Sequence, residues 1–181
     1  MKAASKGKRT RRKKLVEVFA GSAGVSAAAE RKEGWTAIAI NWHGNRHTPK
    51  VPILKLNLLE PGGKAALFDV LRDPEVEHVH FATPCGTNSR AREKRLRRER
   101  ASRFTPDPPQ LRSEQCVRGF PACEVPSCRG DRDGCTGRLH GADIIKVQRG
   151  NALADLTIEA VNFLALERPE VTWTTDQHHH Q

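Results

Sequence analysis

The sequence predicts an α/β domain built on a doubly wound parallel sheet. Short runs rich in Val, Ile, Leu and Ala fall at residues 15–20, 36–41, 53–57 and 76–82. Each has the length of a strand, and the run at 36–41 has the apolar character of one buried on both faces. Helix-forming stretches at residues 25–32 and 64–71 alternate with them, and strands that alternate with helices make crossover units of a parallel sheet. The first strand also ends in a turn of small residues, Ala20-Gly21-Ser22-Ala23-Gly24, that opens into the first helix.

Leu15-Val16-Glu17-Val18-Phe19-Ala20 is the first strand, and the Ala-rich stretch at 25–32 is the helix that follows, closed by Gly34. Thr36-Ala37-Ile38-Ala39-Ile40-Asn41 reads as a second buried strand. A polar loop punctuated by Pro49 and Pro52 leads to a third at 53–57. Pro61-Gly62-Gly63 precedes the second helix, and the fourth strand, 76–82, runs into Thr83-Pro84-Cys85-Gly86. Right-handed crossovers set these strands in the order 3-2-1-4. Residues 90–103 are charged and compatible with a helix until Thr105-Pro106-Asp107-Pro108-Pro109 breaks it, and 110–150 show no sustained period. Leu153, Leu156, Ala160, Val161 and Leu164 then share one face of a helix at 151–166, with a short fifth strand at 171–174.

The 181 residues carry a net charge of +10, with 37% hydrophobic and 29% charged side chains. That length suits one domain with a real core, and the low apolar share implies much irregular chain beside it. Lys2, Lys6, Lys8, Arg9, Arg11, Arg12, Lys13 and Lys14 crowd residues 1–14, where there is no acid. Arg90, Arg92, Lys94, Arg95, Arg97, Arg98, Arg100 and Arg103 face only Glu93 and Glu99 in residues 90–103. The remainder is mildly acidic. Two cationic arms on such a core suit a phosphate backbone, so DNA is the expected partner; the alternative is a solvated tail without a partner. The N-terminal run reads as a nuclear-localisation signal, with the cytoplasm as the other expected location. No apolar run approaches the roughly 18 residues that span a bilayer, and no apolar segment follows the N-terminal charges as in a secretory signal. The expected organisation is a disordered basic tail at 1–14, an α/β half-domain at 15–103, an irregular linker at 104–150, and a helix with a strand at 151–181 that pack back on the core.

A strand-to-helix turn of small residues lets the backbone pass close to a ligand, although it serves equally as a plain connection. Glu17-Val18-Phe19-Ala20-Gly21-Ser22-Ala23-Gly24 resembles the first S-adenosylmethionine (SAM) motif of the cytosine-C5 DNA methyltransferases, an acid-x-Phe-Ala-Gly-x-Gly-Gly pattern. The resemblance covers residues 15–90 and extends to the helix at 151–166. It implies a Rossmann-like SAM-dependent methyltransferase core, with SAM as cofactor. By that resemblance Phe19, Gly21 and Gly24 line the cofactor and Glu17 is the acid of the motif. Asn41 and Trp42 take the positions that hold the ribose and cover the adenine, and Asn57 the position that contacts the adenine amino group. The family has acids where this chain has Asn41 and Asn57; an amide keeps a carbonyl acceptor but gives up the charge.

His80-Phe81-Ala82-Thr83-Pro84-Cys85-Gly86-Thr87-Asn88-Ser89 resembles the family's Pro-Pro-Cys-Gln-x-x-Ser loop, which makes Cys85 the implied nucleophile. A thiolate adding at cytosine C6 makes C5 enamine-like and able to take a methyl group. Arg90 and Arg92 are placed to lower the thiol pKa. The plainer reading is a small buried cysteine in a Pro-Cys-Gly turn. Thr83 and Gly86 depart from the pattern, no Glu-Asn dipeptide occurs, and the family's Arg-x-Arg loop, target-recognition domain and last strands have no counterpart. The expectation is therefore an incomplete core derived from a DNA cytosine-C5 methyltransferase and inactive through truncation. The alternatives are a non-catalytic nucleic-acid-binding protein that uses its basic arms, and a fragment without a stable fold.

No metal is expected. Cys116, Cys123, Cys128 and Cys135 give the spacing C-x6-C-x4-C-x6-C, in which two of the gaps are wider than the pairs of ordinary zinc knuckles. His43 and His47 sit in a loop with Gly44 and Pro49, and His178, His179 and His180 form a polar terminus.

Overall fold

A computed structural model describes residues 12–45, 47–84, 118 and 141–176. Its elements run β1 (Lys13–Val18), α1 (Gly24–Ala29), β2 (Trp35–Asn41), β3 (Ile53–Lys55), α2 (Pro61–Arg72), β4 (Val76–Phe81), α3 (Gly141–Glu167) and β5 (Thr172–Thr175). The strands make one sheet in the order β3-β2-β1-β4-β5, and every neighbouring pair is parallel. The expected α/β class and the 3-2-1-4 order are both present, with β5 added beside β4. Among the described residues no helix is long and apolar enough to cross a membrane.

The chain divides into two units. The first, residues 1–83 and 156–181, holds the sheet, α1, α2 and the end of α3. The second, residues 84–155, is described at Arg118 and the start of α3. There the Arg118 guanidinium donates to both carboxylate oxygens of Asp155 at 2.7 and 2.9 Å, and its carbonyl accepts the Asn151 amide at 2.9 Å.

The register explains the core of the first unit. Val16 lies level with Ile38 and Val79, and Val18 with Ile40 and Phe81, so these side chains share one face of the sheet. Val16, Val18, Ile40, Val79 and Phe81 are fully buried, as are Leu67 and Leu71 of α2 and Ala160 and Leu164 of α3. Right-handed crossovers set α2 and α3 on this face, and the Phe68 and Phe163 rings meet edge to face at 5.3 Å. Each of the Val, Ile, Leu and Phe side chains among them contributes about 1.5–3 kcal/mol on leaving water. The other face is built from small residues. Ala20, Ala23 and Ala39 cluster there with Val51 and Ile53, and α1 comes close over β1 and β2 because alanines leave room for it.

Ionic groups fasten the amino ends of the strands. Lys14 pairs with Asp73 and with Glu75 at 3.2 Å, and Lys13 with Glu77 at 2.9 Å. The Arg168 guanidinium donates to the carbonyls of Leu71 at 2.9 Å, Asp73 at 3.1 Å and Val76 at 3.4 Å, and to Glu170 at 2.5 Å. It thereby supplies donors to the carbonyls at the end of α2 and joins them to the turn before β5.

Several boundaries differ from the sequence expectation. Lys13 and Lys14 belong to β1 rather than to a disordered tail, because Glu77 of β4 neutralises the first and Asp73 and Glu75 of the α2–β4 turn the second. α1 stops at Ala29, where the chain turns through a Lys32 N–H to Ala29 carbonyl bond and Gly34 at φ +80°. α2 begins earlier, at Pro61, since proline suits a first helical position. β3 ends at Lys55, ahead of the Asn57 turn. Residues 141–150, expected in the irregular linker, form the first turns of α3.

Candidate cofactor crevice at the carboxyl ends of β1, β2 and β4

The chain leaves β1 toward β2 on one side and leaves β4 toward β5 on the other. The carboxyl ends of β1 and β4 therefore flank the point where the winding reverses, the place where open α/β sheets take ligands. Pairing of these strands continues past their ends through the Ala82 N–H to Val18 carbonyl bond at 3.0 Å, and the register that sets Val18 level with Phe81 brings Ala82 level with Phe19.

The loop after β1 is sharply bent. Phe19 at φ +63°, Gly21 at +51° and Ala23 at +55° are all left-handed. For the two non-glycine residues this conformation costs about 1–2 kcal/mol each, and such strain collects where a backbone shape is used. Ala23 stands at the N-cap of α1 but has no side-chain acceptor. Glu17 supplies one instead. Its carboxylate, in a side chain only 3% exposed, accepts the Ser26 N–H at 2.6 Å, the bond a capping side chain normally makes. Glu17 thus holds the loop from beneath.

The segment after β2 closes over this loop. The Asn45 amide donates to the Gly21 carbonyl at 2.6 Å, the Lys50 N–H to the Ser22 carbonyl at 2.9 Å, and the His47 N–H to Asn45 Oδ1 at 3.1 Å. Sequence reading missed Asn45, whose one legible signal is an Asn placed in a Gly-containing turn. Asn41 is nearly buried; its Oδ1 accepts the Trp42 N–H at 2.9 Å, and its amide nitrogen has no hydrogen-bond partner among the described residues. The Trp42 ring folds over Gly44, where a Cβ would come within 2.5 Å of it, and is 51% exposed. His43 meets that ring at 5.3 Å.

Phe19, Gly21, Gly24, Asn41 and Trp42 therefore gather at adjoining strand ends, with Glu17 below them. Asn57 is engaged elsewhere. Its amide donates to Glu60 at 2.6 Å and its carbonyl accepts the Leu59 N–H at 3.3 Å, which shapes the turn into α2. On the β4 side the Thr83 hydroxyl bonds that of Thr157 at 3.0 Å. Cys85, Arg90 and Arg92 lie outside the described residues, as do both cationic arms apart from Arg12, Lys13 and Lys14, the cysteines at 116, 123, 128 and 135, and the terminal histidines.

Two open grooves lie away from this crevice. One, of about 640 Å³, is lined by Lys64, Phe68, Phe163 and Leu166; the other, of about 620 Å³, by Trp35, Arg72, Glu77 and Arg168. Neither lies at the carboxyl ends of β1 and β4, so the crevice is the better candidate on topology. It can receive a flat ring against Trp42, a hydroxyl at Asn41, and a group that must approach the backbone at Gly21. Comparison with protein-family models, with curated proteins and with solved structures finds no match to this chain.

Proposed function

We propose that this chain is a SAM-dependent methyltransferase-like protein derived from a DNA cytosine-C5 methyltransferase. The observation that carries the reading is the left-handed loop at residues 19–23, held by Glu17 and Asn45 beside Asn41 and Trp42. Gly21 lets the backbone come close to the ligand, Asn41 turns its free amide N–H toward a ribose hydroxyl, and Trp42 lies over the adenine. Gly24 and Phe19 border the same space. For Asn57 to reach the adenine amino group it must exchange its Glu60 bond for the ligand. SAM, when bound, supplies an electrophilic methyl group. Cys85, two residues after Thr83, holds the place of the family's nucleophile, a thiolate that adds to cytosine C6 so that C5 becomes the nucleophile. With no Glu-Asn dipeptide in the chain, that step belongs to the ancestor rather than to an active site here.

Calorimetric titration with SAM and its demethylated product tests this reading, repeated on Gly21→Asp. Binding with Kd on the order of micromolar that disappears in the variant is the expected result. A flat titration from a folded chain overturns it.

A second reading, nucleic-acid binding without catalysis, draws on the placement of charge. Lys13 and Lys14 are committed to acids at the sheet, which leaves the two basic arms as the six Lys and Arg of residues 1–12 and the eight of residues 90–103. DNA binding that weakens steeply with salt and survives Cys85→Ser would favour it, and nuclear location would accompany it.

A further inference from the structure

His78 and His80 lie on one face of the sheet, paired across the ladder with Thr172 and Thr174 of edge strand β5. The hydrogen positions follow from the bonds. Thr172 Oγ1 donates its one hydrogen to the Glu77 carbonyl at 3.1 Å. Its 2.7 Å contact with His78 Nδ1 is then a bond donated by the imidazole. Neutral His78 with its proton on Nδ1 has an accepting Nε2, and that atom is 3.2 Å from Thr174 Oγ1. Thr174 donates there and accepts from His80 Nδ1 at 2.9 Å. His80 Nε2 faces Asp176 at 3.4 Å. A single directed chain of hydrogen bonds thus runs from His80 through Thr174, His78 and Thr172 to the Glu77 carbonyl.

We propose that this chain of hydrogen bonds is an acid-released latch that holds β5 on β4. A second proton on His78 turns Nε2 into a donor, so the Thr174 hydrogen must turn away. It also sets a cation beside His80 with no carboxylate bonded to it among the described residues. Asp176 stands at the far side of His80, Glu17 of β1 is bonded to the Ser26 N–H, and Glu77 is paired with Lys13. α1 carries no titratable side chain. Burial, and then the neighbouring His80, hold the His78 pKa below its ordinary value of 6.5. Between that value and the lower folded one the unfolded chain binds more protons, so the latch loses strength as pH falls below 6.5.

Hydrogen exchange of the full chain at neutral and mildly acid pH tests the latch, with protection corrected for the intrinsic rate. The amides of residues 172–176 lose protection by up to about tenfold at pH near 5.5, while those of β1 and β2 keep theirs. His78→Asn abolishes the difference, because the amide bonds both threonines without titrating. Asp176→Asn preserves it, because His78 is the sensor. Equal protection of β5 at both pH values, a loss that persists in His78→Asn, or a loss shared equally by β1 and β2 would each overturn the proposal.

Discussion

The carboxylate of Glu17, within β1, accepts the backbone N–H of Ser26, in the first turn of α1, at 2.6 Å. Strand and helix are joined there by a charge-assisted bond inside the protein, beneath the left-handed loop. Glu17→Gln keeps the shape and removes the charge, and it costs about 1–3 kcal/mol of stability. Urea unfolding measures the loss. An unchanged midpoint would show that the carboxylate does not hold the loop.

Ser26 itself gives the opposite result. Its hydroxyl is buried and has no hydrogen-bond partner among the described residues, whereas its N–H is bonded. Ser26→Ala removes the unpaired group without touching the Glu17 bond, so stability rises by up to about 1 kcal/mol. A lower melting temperature in this variant would mean that the hydroxyl has a partner.

Two adjacent glycines in α2 separate propensity from packing. Around Gly62 a Cβ would meet nothing within 4 Å, but at Gly63 it would run into the Asn57 carbonyl. Gly62→Ala therefore stabilises by about 0.5–1 kcal/mol through helix propensity. Gly63→Ala destabilises by about 1–3 kcal/mol, because the helix start must move off the Asn57 turn. Thermal melts of the two variants should shift in opposite directions.

The strands of the sheet were legible because buried parallel strands are nearly continuous apolar runs, as at Val16, Val18, Ile38 and Ile40. What escaped depended on partners distant in sequence. Lys13 and Lys14 look like tail until Glu77, Asp73 and Glu75 are brought to them. The first turns of α3 were obscured by Gly150, which the helix passes through. At the candidate site, the Gly21 turn and the Asn41-Trp42 step were readable as local motifs. The bonds from Glu17 to Ser26 and from Asn45 to Gly21 join different elements, so no short window contains them. Asn57 shows the converse: a strand-end position suggested a ligand contact, yet Glu60, three residues on, takes its amide.

Acid weakens the Lys14–Asp73 tie in a direction fixed by its chemistry. The Lys14 ammonium first, and the Glu75 N–H second, hold the Asp73 carboxyl below its ordinary value. The unfolded chain takes up the proton at higher pH, so the stability from Asp73 is fully present above the ordinary carboxylate range and is lost as pH falls through it. Lys14 is shifted upward, mainly by the same bond, and its contribution is lost only on the alkaline side of the lysine range. Asp73→Asn flattens the dependence of melting temperature on pH below about pH 4.5. A slope as steep as the wild type's would assign acid sensitivity to other carboxylates.

Arg168 offers the strictest geometric test. One guanidinium serves the carbonyls of Leu71, Asp73 and Val76 while its Nε bonds Glu170, and its side chain is only 13% exposed. Such a fork has no substitute in a point charge. Arg168→Met takes three donors from part-buried carbonyls, of which that of Asp73 keeps the Val76 N–H, and costs about 2–4 kcal/mol. Arg168→Lys retains the positive charge and the aliphatic stem but reaches fewer acceptors, so it recovers less than half of that loss. Because Arg168 precedes β5, both variants also raise exchange at residues 172–175 at neutral pH, without altering the acid response set by His78. Full rescue by lysine in denaturant titrations would show that charge alone, rather than the planar set of donors, secures the end of α2.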